Sequence, residues 1–140
     1  MIRVAHVMSR RIVAVSPSDS VEDAARLMRR HACDYLPVRH RGRVVGILGR
    51  GDVVETSPGT APNVSRRRIE AVMAREVLTV QPKTPLAEAA RLMRDWRTPA
   101  LPVVAHGRLV GIVTESMLIA YLANLVDHAA RPRRPRQAIV

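Results

Sequence analysis

Apolar residues recur along this chain with two different spacings, and each spacing predicts its own type of element. Val21, Ala24, Ala25 and Met28 lie at i, i+3, i+4 and i+7, which predicts a helix with one apolar face. Short apolar runs bounded by Pro or Gly predict strands instead. The first half is thus predicted to contain a helical lead-in over Ile2–Met8, a strand over Ile12–Val15, a helix that starts with a capping box of Asp19 and Glu22, hairpin strands over Asp34–Val38 and Val44–Leu48, and a helix over Arg50–Glu55.

The same pattern occurs a second time, 65 positions further along the chain. The offset runs without a gap from the pair Val4/Ile69 to the pair Val54/Ile119, and 19 of these 51 pairs are identical. The second half is predicted to have its helix N-cap at Thr84 with Pro85 at the first helical position, hairpin strands over Leu101–Val104 and Leu109–Val113, and a last helix over Glu115–Ala129. Each half is therefore predicted to be a β-α-β-β-α unit.

Two units of this size favour one shared body. A unit of ~60 residues is close to the limit at which a single core becomes marginal, so the units are expected to pack against each other about a pseudo-two-fold axis. The predicted fold class is α/β (α+β), with two related clefts between the units. We predict a first domain over residues 2–55, a linker over 56–65, a second domain over 66–129 and a basic, disordered tail over 130–140.

The net charge of +11 bears on the choice of partner. An excess of base attracts phosphate-bearing molecules, although solvated surface charge is the plainer interpretation. Aromatic residues make up only 2% of the chain, which argues against a stacking platform for single-stranded nucleic acid.

Other function classes lack support in the sequence. The chain contains no apolar run of membrane-spanning length and no signal-peptide pattern, so no membrane association is expected. Its single cysteine, Cys33, fits a reducing cytoplasm. The five histidines lack metal-ligand spacing, and neither a nucleophile elbow nor a phosphate loop occurs. We therefore expect no enzyme activity, no metal and no required cofactor.

The two hairpin sequences, LPVRHRGRVVGIL and LPVVAHGRLVGIV, resemble the cystathionine-β-synthase domain, or CBS domain. The lead-in pairs Val7-Met8 and Val72-Met73 and the two AARLMR helices are similar to that family as well. The resemblance implies a free-standing CBS pair with no catalytic domain. It also implies an adenosine-containing ligand in the clefts between the units, and further association into a homodimer.

The resemblance also implies a set of ligand-binding positions. The family pattern after the hairpin is Gly-x-x-Thr/Ser-x-x-Asp, where the Asp accepts ribose hydroxyls and the hydroxyl meets a phosphate. The first unit keeps Asp52 but has Gly49 in place of the hydroxyl, and the second keeps Thr114 but has Met117 in place of the Asp. The first cleft is therefore favoured. The full predicted set is Ile12, Val13, Tyr35, Leu36, Pro37, Gly46, Arg50, Asp52, Leu78, Ala100, Leu101, Pro102, Gly111 and Thr114.

Four of these positions have a second interpretation. Asp52 either holds a ribose or only favours a helix N-terminus. Thr114 either contacts a phosphate or caps the last helix. Arg50 either meets a phosphate or is an exposed loop residue, and Tyr35 either stacks on a base or packs in the core.

The expected function is a regulatory ligand-sensing module, of the energy-sensing kind, that binds AMP, ADP, ATP or S-adenosylmethionine and acts on an unknown protein partner. One alternative is a basic module that binds nucleic acid or docks a partner through its arginines. Another is a structural dimer whose clefts have lost their ligand.

Overall fold

The computed structural model describes residues 1–53 and 66–130. Short 3-10 helices at Val4–His6 and Ile69–Ala71 open the two halves. The other elements are α1 (Val21–His31), β1 (Tyr35–His40), β2 (Arg43–Gly49), α2 (Arg50–Val53), α3 (Leu86–Trp96), β3 (Ala100–Ala105), β4 (Arg108–Thr114) and α4 (Glu115–Ala130). The predicted linker, the predicted end of the helix at Glu55 and the tail from residue 131 onward lie outside the described residues.

Two antiparallel hairpins, β1–β2 and β3–β4, form two separate two-stranded sheets. Both turns place two consecutive residues at positive φ, 52° and 79° at Arg41 and Gly42, and 53° and 76° at His106 and Gly107. Two positive φ values in a two-residue turn define type I′, whose twist matches that of the strands. The predicted hairpins are confirmed, and each strand extends one or two residues further than the apolar runs indicate.

The predicted strand over Ile12–Val15 is wrong. Only Val15 pairs, through one parallel bridge to Val38, with Val15 N donating to Pro37 O (3.1 Å) and Arg39 N donating to Val15 O (2.8 Å). The next bonds on either side would need the amide hydrogens of Pro37 and Pro17, which proline lacks. Val80 forms the equivalent single bridge to Val103 in the second half, where Pro82 and Pro102 occupy the same positions.

Both predicted helix caps are wrong by one residue. Helix α1 is capped by Ser20, whose hydroxyl accepts from Asp23 N (3.0 Å), because Asp19 is already engaged by Ser16 N (2.8 Å). In the second half Thr84 likewise accepts from Gln81 N (2.9 Å), and Pro85 occupies the N-cap position of α3. The predicted cap residues therefore close the preceding turn in both halves.

Each lead-in segment packs on the opposite half of the molecule, which the sequence did not indicate. Val4 is fully buried in the second hydrophobic core and Ile69 is fully buried in the first. Val4 N donates to Thr84 O (2.8 Å), and Ile69 N donates to Asp19 O (2.9 Å). The two halves are therefore held together by an exchange of their first segments.

Two buried glycines make this exchange possible. Ser9 and Ile112 bond to each other through both backbone groups, and a methyl group at Gly111 would collide with the carbonyl oxygen of Ser9. At Gly46 a Cβ would lie 2.5 Å from Sδ of Met73 and 3.0 Å from the carbonyl oxygen of Ala74. Glycine at both positions lets the incoming backbone reach the strand.

The hairpins also meet each other directly. Strand β2 contacts β4, and Leu109 N donates a hydrogen bond to Gly42 O (3.0 Å). The predicted arrangement of two repeats in one body is confirmed, and it leaves a cleft on each side of the contact between the repeats.

Candidate functional site

The cleft on the side of the second repeat, here named the second cleft, encloses a cavity of about 310 Å³. This volume lies at the lower end of the range of small-molecule sites, which is roughly 300–1,000 Å³. Its lining residues come from both repeats: Ile47, Glu76, Val77, Leu78, Trp96, Thr98 and Ala100. Two residues of the predicted set, Leu78 and Ala100, therefore line this cavity.

We define the first cleft by the residues that the 65-residue offset relates to this lining. Arg11 replaces Glu76 and His31 replaces Trp96, and Arg11 Nη2 approaches His31 Nδ1 at 3.5 Å. Tyr35 replaces Ala100 and brings a large ring to the first cleft. The positions of the first cleft therefore carry more basic side chains than those of the second.

Asp52 lies at the start of α2, close to Tyr35. Its Oδ2 accepts a hydrogen bond from Gly49 N (2.8 Å), and Gly49 pairs with Tyr35 across the hairpin. The carboxylate is exposed, and among residues 1–53 and 66–130 its Oδ1 forms no hydrogen bond. Asp52 therefore orders the start of the helix with one oxygen and presents the other to solvent.

Thr114 occupies the position of Gly49 in the second repeat, where Met117 replaces Asp52, and its hydroxyl accepts from Met117 N at 3.3 Å. This is the geometry of a helix cap, one of the two interpretations of this residue. The same hydroxyl lies 3.3 Å from Ser116 Oγ, a polar group that the family pattern did not include.

Arg50 forms an exposed ion pair with Asp34, with 3.4 Å between Nη1 and Oδ1. Exposed pairs of this kind contribute little to stability, so the guanidinium is able to change partners at small cost.

Cys33 precedes Asp34, and burial, with a smaller contribution from the Asp34 charge, raises the pKa of its thiol. The thiol is therefore neutral at physiological pH.

The remaining predicted residues have identifiable structural tasks. Leu36 and Leu101 are fully buried in the two cores, and Pro37 and Pro102 use their carbonyl groups to bond Val15 and Val80. The exchanged lead-in segments fill the space beside Gly46 and Gly111 into which a Cβ would project. Val13 packs against the first core, and Ile12 is 38% exposed.

Sequence reasoning missed five lining residues: Ile47, Glu76, Val77, Trp96 and Thr98. Trp96 ends α3 and is 67% exposed, so its place in this lining follows from the structure and not from the helical periodicity. Ile47 belongs to the other repeat, and only the exchange of the two halves brings it to the second cleft.

Among the described residues, no group of three His, Cys, Asp or Glu side chains is placed to hold a metal ion. No helix in that part of the chain is long and apolar enough to cross a membrane.

The sequence profile of the CBS domain matches residues 4–59 and again residues 69–124. These two matches cover most of the chain and reproduce its internal repeat. The chain belongs to the CBS-domain family. It carries two CBS domains in tandem, as the hairpin and helix sequences predicted.

Curated relatives place this CBS pair within longer proteins as well as short ones. It is 38% identical over 106 residues to inosine-5′-monophosphate dehydrogenase of Korarchaeum cryptofilum, in an alignment that covers 75% of this chain and 21% of that enzyme. It is 29% identical over 113 residues to the CBS domain-containing protein YhcV of Bacillus subtilis, covering 81% of this chain and 80% of YhcV. The CBS pair thus spans about a fifth of the dehydrogenase.

Solved structures share the whole architecture. AcuB of Vibrio cholerae, a protein ascribed to acetoin utilization, superposes with a TM-score of 0.81 at 26% identity, covering 95% of this chain and 98% of AcuB. The CBS domain pair of protein MJ0100, solved in complex with 5′-methylthioadenosine and S-adenosylmethionine, superposes with a TM-score of 0.76 at 25% identity. That superposition covers 86% of this chain and 99% of the MJ0100 pair.

Proposed function

We propose that this CBS pair is a regulatory module that binds an adenosine-containing ligand in the clefts between its repeats and catalyses no reaction. The observation that carries the proposal is the cavity of the second cleft, because its walls come from both repeats, Ile47 from one and Leu78, Trp96 and Ala100 from the other. A ligand held by both repeats favours one relative orientation of them, which a partner protein is able to read. The related MJ0100 pair binds ligands of this chemical class.

Phosphorylated ligands such as AMP, ADP or ATP are proposed to favour the first cleft. Asp52 supplies a carboxylate with a free oxygen for the ribose hydroxyls. Arg11, which contacts His31, and Arg50, which pairs with Asp34, are the proposed phosphate partners. A guanidinium offers paired donors to phosphate oxygens. To contact a phosphate, Arg50 needs only to break its exposed ion pair with Asp34.

Ligands without phosphate, of the 5′-methylthioadenosine or S-adenosylmethionine type, are proposed to favour the second cleft. Glu76 lines this cavity, so a carboxylate opposes a phosphate there. Trp96 offers an exposed indole face to an adenine ring or to a sulfonium cation.

A thermal-shift screen with adenosine, AMP, ATP, 5′-methylthioadenosine and S-adenosylmethionine tests the proposed function. A ligand present at a hundredfold excess over its Kd stabilises the folded state by about 2.7 kcal/mol, which raises the melting temperature by several degrees. GMP is the matched control, because it keeps the ribose phosphate and changes the base. No shift with any adenosine compound would favour the alternative of a structural module with empty clefts.

We also propose that the CBS pair forms a homodimer through α4. This helix exposes four large apolar side chains, Ile119 at 60%, Leu122 at 59%, Leu125 at 48% and Val126 at 55%. With Met1, Ile2 and α3, residues of this face line an apolar groove of about 860 Å³. A self-complementary apolar face of this kind fits a second copy related by a two-fold axis.

Sedimentation at tens of micromolar decides the oligomeric state, since at that concentration even a Kd of roughly 10⁻⁵ M yields visible dimer. Leu122→Glu, in the groove, is expected to give a monomer. Asn124→Glu introduces the same charge on the same helix outside the groove and should leave the dimer intact. A monomeric wild-type chain would contradict the proposal.

A further inference from the structure

The two hairpin turns lie side by side at the pseudo-two-fold axis. Leu109 N donates to Gly42 O (3.0 Å), which joins the start of β4 to the turn of the first hairpin. The side chain of Arg108 crosses over Gly42, so that Nη1 would lie 2.7 Å from a Cβ at that position. Arg43 crosses in the opposite direction, with Nη1 3.4 Å from the equivalent position on Gly107. Each of the two guanidinium groups thus reaches the turn of the other repeat.

The same two hairpins carry further basic residues. We name the exposed basic residues of the two hairpin turns the turn surface. It consists of Arg39, His40, Arg41, Arg43, His106 and Arg108. All six side chains are exposed, and residues 35–49 and 100–114 contain no Asp or Glu.

The arginines of the turn surface lie on two hairpins that carry no acidic side chain. Within residues 1–53 and 66–130, Arg26, Arg50, Arg68 and Arg94 form ion pairs, whereas the arginines of the turn surface form no ion pair or hydrogen bond through their side chains. Four like charges held without a counter-charge repel one another in the free protein. Their attraction for an anion is correspondingly strong, because binding relieves that repulsion.

The turn surface is also separate from both clefts. Gly49 and Thr114, which directly precede α2 and α4, lie at the ends of β2 and β4 that are far from the turns. Seven-residue strands with a rise of roughly 3.3 Å per residue place the two regions about 20 Å apart. A ligand bound at the turns would therefore leave the clefts accessible.

We propose that the turn surface binds the phosphate backbone of a nucleic-acid duplex independently of sequence. Arginine is suited to phosphate because its planar guanidinium bonds two oxygens at once. The large apolar side chains that the described residues expose all lie outside the two hairpins, so this surface lacks the apolar centre of a protein interface. It also lacks an aromatic ring for stacking on single-stranded bases, which leaves the duplex backbone as the best match.

Fluorescence anisotropy of a short labelled DNA duplex of arbitrary sequence, titrated with the whole chain over a range of salt concentrations, tests this proposal. The test variant is Arg43→Gln/Arg108→Gln. The control is Arg26→Gln/Arg94→Gln, which removes two arginines that are paired with Glu22, Asp23 and Asp95. Both variants reduce the formal net charge from +11 by the same two units. Because all four positions are exposed, neither variant is expected to disturb the fold, and thermal melting checks this.

The test variant is expected to bind the duplex roughly tenfold or more weakly at low salt. Its slope of log affinity against log salt should be smaller by about 2, one unit for each lost phosphate contact. The control variant should stay within about threefold of the wild type, since only general attraction is reduced. Asp52→Ala should bind the duplex like the wild type, which keeps this result independent of the ligand clefts.

Equal weakening in the two double variants would show that only net charge matters and would overturn the proposal. Absence of duplex binding by the wild type at low salt would overturn it as well. If polyglutamate binds in a manner that requires Arg43 and Arg108 while the duplex does not, the turn surface belongs to an acidic protein partner, and the nucleic-acid assignment is wrong.

Discussion

The two repeats of this CBS pair share a backbone and differ at most of the positions proposed to face a ligand. Arg11, His31, Tyr35, Arg50 and Asp52 of the first repeat correspond to Glu76, Trp96, Ala100, Glu115 and Met117 of the second. The residues that hold the frame, among them Pro37/Pro102, Gly46/Gly111 and Met8/Met73, are identical. The repeat therefore preserves the contacts of the frame, while the two bases Arg11 and Arg50 are exchanged for the two acids Glu76 and Glu115.

The largest effect is expected at the glycine that both repeats share beside the exchanged lead-in segments. Gly111→Ala should destabilise the fold by about 1–3 kcal/mol, because its methyl group has no room beside the backbone of Ser9. Gly46→Ala should cost less, since the nearest atom is the movable thioether of Met73. Urea unfolding measures both effects.

Gly51→Ala serves as the control for these two variants, because nothing lies within 4 Å of a Cβ at that position. It should leave the free energy of unfolding nearly unchanged. Equal losses for Gly111→Ala and Gly51→Ala would show that the exchanged lead-in does not depend on a glycine.

The exchange of lead-in segments also marks what the sequence could and could not predict. Helix α1, both hairpins and the repeat were predictable, because their apolar spacing and their Pro and Gly positions occur twice in register. Periodicity indicates that Val4 and Ile69 are buried, but it does not indicate which repeat buries them. That information lies only in the long-range backbone bonds to Thr84 and Asp19.

The errors at Ile12–Val15 and at the helix caps have local causes. Four apolar residues suggest a strand, yet a ladder also needs donors on its partner, and Pro17 and Pro37 remove them on both sides of Val15. Asp19 and Thr84 are good cap residues that instead bond the amides of Ser16 and Gln81. A side chain with two possible amide partners cannot be assigned from composition.

Two of the predicted positions, Leu78 and Ala100, line the cavity of the second cleft, and the other five lining residues were not predicted. Glu76 and Trp96 have no family signal, and Ile47 comes from the other repeat. The exchange of Glu76 for Arg11 becomes visible only when this lining is mapped onto the first repeat.

Reversing one charge should sharpen the difference between the clefts. Arg11→Glu is expected to weaken AMP binding by roughly thirtyfold, because a nearby attraction of about 1 kcal/mol becomes a repulsion of similar size, a change of about 2 kcal/mol. Adenosine, which lacks the phosphate, should bind within about twofold of its original affinity. Lys83→Glu is the matched control, since it makes the same charge change in the turn before α3, outside the first cleft. If AMP and adenosine lose equal affinity, Arg11 does not act on the phosphate.

The single tryptophan reports on the second cleft alone. Since Trp96 lines that cavity and is 67% exposed, 5′-methylthioadenosine should change its emission, whereas AMP at low concentration should not. Glu76→Arg should make the second cleft responsive to AMP as well. An equal response of the wild-type chain to both ligands would contradict the proposed division between the clefts.

The smallest expected effect concerns the rate at which the Cys33 thiol reacts. Because burial and the Asp34 charge raise the pKa of its thiol, the thiolate stays scarce near neutral pH, and its reaction with a disulfide reagent should accelerate only as pH rises above the ordinary cysteine range. Asp34→Asn removes the smaller of the two causes and should increase the rate a few-fold at constant pH. A rate equal to that of the urea-unfolded chain would show that the thiol is not shielded.

Calorimetric titration of AMP into the wild-type chain, Asp52→Ala and Thr114→Ala tests the central claim most directly. If Asp52 holds the ribose through charge-assisted hydrogen bonds, its loss costs about 1.5–3 kcal/mol, so Asp52→Ala should bind AMP roughly tenfold or more weakly. Thr114→Ala should bind AMP nearly as tightly as the wild type, since that hydroxyl caps α4 in the other cleft. Undiminished affinity in Asp52→Ala would contradict the account, because the first cleft would then not bind the ligand through its one retained carboxylate.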